Sequence, residues 1–135
     1  MTRPDIRFIE TGPEAPAVVI SLQGQHFGPE AAGMVDWFDT ILWALDRLRS
    51  GDWDTSSPET VSEIDTAITH LVHRLEPRLE GLTAALIRAH YAAGGSHGQL
   101  ATAMDVSRST AQSRAVRLPE EPSIWETWAR GESTT

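Results

Sequence analysis

The chain has 135 residues and a net charge of −8, with 40% apolar and 22% charged residues, the composition of one globular domain, or of two small ones sharing a core, and not of a disordered chain. With no cysteine it holds no disulfide framework and no thiolate metal site. No apolar run approaches the roughly 20 residues of a membrane span, and the N-terminal MTRPDIRFIETG lacks the basic-then-apolar order of a signal peptide, so a cytoplasmic protein is expected.

The apolar runs DIRFIE and PAVVISLQG are separated by TGPEA, with Gly12 and Pro13, and predict an antiparallel hairpin. Two strands alone are marginal, so the hairpin needs a covering partner, either a helix of this chain or a second protomer. A helix follows in GPEAAGMVDWFDTILWALDRLRSG, with Pro29 just inside its start. Val35, Phe38, Leu42, Leu45 and Leu48 recur at helical spacing, and Trp37, Ile41 and Ala44 form a second stripe beside them. A helix apolar on two flanks is expected to be buried on two sides, one over the hairpin and one against a second helix or another subunit. Val35, Trp37, Phe38, Ile41, Leu42 and Leu45 are therefore the expected dimer interface. A pocket for a small-molecule effector along Val35–Leu48 is the alternative use of that surface.

Gly51 and DWDTSS end this helix, and Asp52 and Asp54 around Trp53 read as a linker and not as a catalytic pair. Ser57 and Pro58 then form a helix start. Val61, Ile64, Ile68, Leu71 or Val72, and Leu75 make its predicted apolar face. Pro77 predicts an end or kink near Glu76. A further helix is expected from Arg78 to Ala93, apolar along Leu79, Leu82, Leu86 and Ala89, with Ile87 and Tyr91 alongside, and stopped by Gly94-Gly95. His70 and His73, three apart, and the scattered His26, His90 and His97 read as solvated or capping groups, so no metal and no cofactor is expected. Glu59, Glu63 and Glu80 read as solvated helix faces, and no nucleophile elbow or phosphate-binding glycine loop is present, so no enzyme is expected.

Charge is segregated along the chain. Residues 1–81 carry six Arg against fourteen Asp and Glu, residues 82–118 four Arg against one Asp, and residues 119–135 one Arg against four Glu. The one basic island coincides with HGQLATAMDVSRSTAQSRAVRL. There Ser96 and Gln99 have capping-box spacing. Leu100, Ala101 and Met104 are expected to face inward, Ala101 supplying the small side chain that two steeply crossing helices need. Asp105-Val106-Ser107 predicts the turn, Asp105 being one of the few non-glycine types that tolerate a left-handed backbone. Ser107 caps a second short helix whose inner face is Ala111, Ala115 and Leu118. Its outer face would carry Arg108, Ser109, Gln112 and Ser113, with Arg114 and Arg117 toward the C-terminal half. Such side chains suit the major groove, where Arg can bond guanine and Gln adenine in bidentate fashion.

The stretch LIRAHYAAGGSHGQLATAMDVSRSTAQSRAVRL resembles the helix-turn-helix of bacterial DNA-binding regulators, and the tri-helical region of sigma-factor-type proteins. The shared pattern falls on Ala101, Asp105, Val106, Ser107 and Thr110, with Ser113-Arg114 fitting the sigma-like variant; Asp105 stands where Gly is usual and Ala111 where Val is usual. The resemblance covers roughly a quarter of the chain and implies base reading by Arg108, Ser109, Gln112 and Ser113. It implies phosphate contacts from Ser96, Gln99, Ser107, Thr110, Arg114 and Arg117.

The expected fold is α+β, mostly α: an N-terminal β-hairpin packed on helices and a C-terminal tri-helical helix-turn-helix. Residues 1–76 are expected to dimerise or sense, residues 77–118 to bind DNA, and residues 119–135 to form a tail. In that tail Ser123 and Glu126 have capping-box spacing, and Trp125 and Trp128 either anchor a partner or dock back on the chain's own core. The expected function is transcriptional regulation by a homodimer on double-stranded DNA, away from any membrane. The alternative is a protein-interaction adaptor that keeps the helix-turn-helix as a scaffold.

Overall fold

A computed structural model describes residues 5–21 and 27–131. The fold is α+β and mostly α, with the hairpin at the N-terminal side packing on helices. Strands β1 (Asp5–Ile9) and β2 (Ala17–Ser21) pair antiparallel from Asp5 opposite Ser21 to Ile9 opposite Ala17. Gly12, at φ 100°, supplies the backbone of the turn, and its carbonyl accepts from Ala15 N at 3.2 Å. Alternation divides the hairpin into two faces. Ile9, Ala17 and Val19 are half-buried on one. Ile6, Phe8, Val18 and Ile20 share the other and are 53%, 72%, 56% and 59% exposed.

A 3-10 turn over Gly28–Glu30 leads into α1 (Ala31–Ser50), which ends on Gly51 in the left-handed conformation at φ 72°. Of the two apolar stripes of α1, the one with Trp37, Ile41 and Ala44 turns inward, whereas Val35, Phe38, Leu42, Leu45 and Leu48 remain exposed. The segment after Gly51 is more than a linker. Trp53 lies edge-on to Trp43 with ring centres 5.7 Å apart and donates from Nε1 to Glu63 Oε2 at 3.0 Å. It thereby clasps α1 to α2 (Pro58–Thr69). Asp54 accepts from the Ser56 hydroxyl at 2.6 Å and the Ser56 amide at 3.0 Å, and these bonds hold its carboxyl below the usual range. It shapes the turn before α2. Ser57 occupies the N-cap position of α2 without a side-chain capping bond, and Pro58 follows at the first helical position as expected.

Pro77 does not end the helix. A π-helical segment, His70–Leu75, carries the path from α2 into α3 (Glu76–Ala92) with no non-helical residue between them. Proline has no N–H to donate and its ring crowds the preceding turn; widening that turn by one residue accommodates it. Accordingly, Glu76 N–H bonds five residues back, to Leu71 O. The division expected at 76/77 thus falls in the first turn of α3.

The faces of α2 and α3 also differ from those that the period predicts. Leu75 and Ile87 are buried as expected, but Thr60, Ala67, Arg78 and Gly81 are buried off the predicted stripes. Val61, Ile68, Leu71, Val72, Leu79, Leu82, Leu86 and Ala89 are exposed. Both helices carry apolar residues around much of their circumference, so period alone does not choose a face. The choice falls where small residues admit a neighbour. Gly81 is the clearest case: a Cβ there would lie 2.3 Å from the carbonyl carbon of Trp125. This opening admits α6 (Ile124–Ala129), whose start is capped by Ser123 Oγ accepting from Glu126 N at 3.1 Å.

Around this crossing the tryptophans meet a buried cation. Arg78, only 5% exposed, donates to Glu30 Oε1 at 2.7 Å and to Arg74 O at 2.9 Å. Its guanidinium lies 4.5 Å from the Trp37 ring centre, 4.6 Å from Trp125 and 5.4 Å from Trp128. The second oxygen of Glu30 accepts from Trp128 Nε1. A buried arginine needs its charge compensated, and here a carboxylate and aromatic faces do so. Glu126, 1% exposed, is paired with Arg88 Nε at 2.5 Å. Trp125 and Trp128 therefore dock on the chain's own core. Trp37, expected in a dimer interface, is engaged in the same cluster.

Candidate nucleic-acid interface

The C-terminal half of α3, α4 (His97–Met104) and α5 (Arg108–Val116) form the predicted tri-helical unit. Gly94, at φ 90°, turns the chain after α3. The predicted capping box is complete: Ser96 Oγ accepts from Gln99 N at 3.1 Å, and Ser96 N donates to Gln99 Oε1 at 2.8 Å. Two rings steady the same elbow. His90 Nε2 lies 2.9 Å from Ser96 O, and the Tyr91 hydroxyl 2.6 Å from His97 Nδ1. Asp105 adopts φ 53°, ψ 49°, the left-handed turn its type predicts. Val106 N then bonds Ala101 O at 3.0 Å, and Ser107 Oγ caps α5 by accepting from Thr110 N at 3.1 Å.

The core of the unit is made of small and medium side chains. Ile87, Leu100, Ala101 and Ala111 are buried together, with Tyr91, Met104, Val106, Ala115 and Leu118 packed around them. Ala111 is fully covered, at 0% exposure. Its methyl group, with that of Ala101, lets α4 and α5 approach closely, and this leaves the opposite face of α5 turned outward.

On that outward face Arg108, Ser109 and Gln112 are exposed and Ser113 is half-buried. Arg114 and Arg117 are exposed beside them, and among the described residues no carboxylate pairs with Arg108, Arg114 or Arg117. The remaining phosphate candidates are held locally. Ser96 and Gln99 are tied up in the capping box, and Ser107 Oγ reaches Thr110 Oγ1 at 2.8 Å and Ser109 Oγ at 3.2 Å. Arg88, the fourth cation of the basic island, points away to Glu126 and to the Pro119 carbonyl. The exposed basic face is thus three arginines. One residue escaped the sequence-based reading: Val116, 76% exposed, one turn beyond Gln112 and Ser113 on the same face. Its period-related neighbours were the available signal.

Two clefts border α1 beside the stripe of Val35, Phe38, Leu42 and Leu45. One is lined by Met34 with Phe27, Glu30, Leu82 and Trp128, the other by Asp39, Thr40 and Trp43 with Ser62, Glu63 and Thr66. Among the described residues no group of three or more acidic or histidine side chains is placed to hold a metal ion, and no helix is long and apolar enough to cross a membrane. No family model, curated protein or solved structure matches this chain.

Proposed function

We propose that the protein is a sequence-specific DNA-binding regulator that acts as a dimer, with α5 as its recognition helix. The observation that carries this reading is the pairing of a fully buried Ala111 with an outward face of Arg108, Ser109, Gln112 and Ser113. A helix seated this closely on its neighbour can enter the major groove without its support colliding with the DNA backbone. Arg108 and Gln112 supply bidentate base contacts, and the exposed Val116 supplies an apolar contact of the kind that recognises a thymine methyl. Arg114 and Arg117 are the phosphate contacts. The overall acidity is compatible with this role, because at physiological salt charges beyond about 8 Å are largely screened. Two modules on one dimer would read half-sites about 34 Å apart.

The adaptor reading is favoured by one observation, the same 76% exposed Val116, which would serve a protein contact equally well. Fluorescence anisotropy on genomic DNA fragments across a salt series separates the two. DNA binding whose logarithmic affinity falls linearly with the logarithm of salt concentration is expected. Arg108→Ala should weaken the preferred site roughly 5- to 150-fold, the range of a lost bidentate contact, with little effect on non-specific DNA. Absence of salt-sensitive binding gives the adaptor reading the field.

A further inference from the structure

We infer that the N-terminal hairpin is an exchanged arm: its open face covers the exposed stripe of α1 in a second copy of this chain, reciprocally across a two-fold axis. The inference rests on the dimer reading above and adds what forms the interface.

Two apolar faces lie uncovered in the same chain. One is the hairpin face, built from two directly opposed pairs, Ile6 with Ile20 and Phe8 with Val18. The other is Val35, Phe38, Leu42 and Leu45 on α1, at 50%, 40%, 64% and 49% exposure. They match in length. Five strand residues span about 17 Å, and the ten steps from Val35 to Leu45 rise about 15 Å. Neither covers the other within the chain, since Phe8 and Leu42 are 72% and 64% exposed at once. A two-stranded sheet with one face open is not independently stable.

The surface area favours a second copy as the occupant. The chain exposes 10098 Å², whereas a compact monomer of 14.8 kDa exposes about 7,000 Å². Granting the undescribed residues the full surface of an extended chain still leaves an excess of roughly 1,500 Å². A permanent homodimer removes roughly 1,000–2,500 Å² from each chain. Because one chain carries both complementary faces, a two-fold pairing satisfies all four in a single closed assembly, with no face left to propagate.

The absence of native cysteine makes the test direct. Full-length Phe8→Cys and Leu42→Cys chains are mixed, oxidised and analysed by mass spectrometry, alongside each chain alone. The expected product is the mixed Phe8→Cys/Leu42→Cys disulfide. Leu42→Cys homodimers in place of it would place α1 against α1 and overturn the arm. In parallel, light scattering should show a wild-type dimer and a Phe8→Asp monomer, with dissociation constants at least 100-fold apart and the helical circular dichroism signal retained, Phe8 being too exposed to hold the helices together. A Phe8→Asp chain that stays dimeric overturns the arm and leaves the dimer reading intact. A wild-type chain that is monomeric at tens of micromolar overturns both.

Discussion

The two ends of this molecule achieve burial by opposite means. The tri-helical unit buries small side chains, Ala101 and Ala111 among them, and fixes its ends with Ser96, Gln99 and Ser107 caps. The N-terminal region is rich in large apolar side chains and leaves many of them uncovered, from Phe8 on the hairpin to Leu42 on α1. A domain stabilised by close packing and caps is complete by itself, whereas one with broad apolar faces gains its stability from what covers them. Apolar content alone therefore does not locate the core. The best-formed part of this chain is the one with the smaller side chains.

The largest expected effect comes from cutting the link between the two regions. Arg78 ties Glu30, ahead of α1, to α3 and the tryptophans of α6. Arg78→Met removes the cation and leaves Glu30, a third exposed, with only its bond from Trp128, at an expected cost of about 2 kcal/mol, below that of breaking a fully buried pair. Chemical denaturation should then show two transitions where the wild type shows one. A single, unshifted transition would mean that Arg78 is not what couples the regions. Gly81→Ala comes next, at about 2 kcal/mol, because the new Cβ meets backbone at Trp125 and not a yielding side chain. Quenching or shift of tryptophan fluorescence, with circular dichroism retained, is the expected sign that α6 has undocked.

Smaller changes sharpen the contrast within the tri-helical unit. Ser107→Ala removes the hydroxyl that accepts from Thr110 N and should cost about 1 kcal/mol. Hydrogen exchange should rise in α5 while α1 keeps its protection. Asp105→Gly goes the other way. Its left-handed backbone at φ 53° is cheaper for glycine, and a gain of ~0.5 kcal/mol is expected after glycine's greater freedom when unfolded is subtracted. Thermal melting of the two variants should bracket the wild type.

What the sequence disclosed follows the same division. The caps at Ser96, Ser107 and Ser123, the turn at Asp105, and the buried Ala101 and Ala111 are all local signals, each set within a few residues, and they are formed as expected. So was the hairpin, from its apolar runs and glycine turn. The faces of α2 and α3 were not legible, because several stripes of apolar residues compete on each helix. The decision lies with Gly81 and its distant partner Trp125. Arg78 gave no sign either, as an arginine normally marks a solvated surface and only long-range neighbours make burial tolerable. Among the site residues, exposure of Arg108, Ser109 and Gln112 was readable from helical period. The local engagement of Ser96, Gln99 and Ser107 is the flip side of the caps they form.

The π-helical segment before Pro77 has a geometric consequence. A π turn is an α-helix with one residue too many, and each residue of an α-helix turns its successors by about 100° and advances them about 1.5 Å. The six residues His70–Leu75 therefore act as a phase setter. The wide turn takes up that extra residue, so the same residues wound as regular α-helix would turn everything beyond them by about 100° relative to α1. The direction in which α5 faces is thus set by one wide turn more than thirty positions upstream, and not by any of its own side chains.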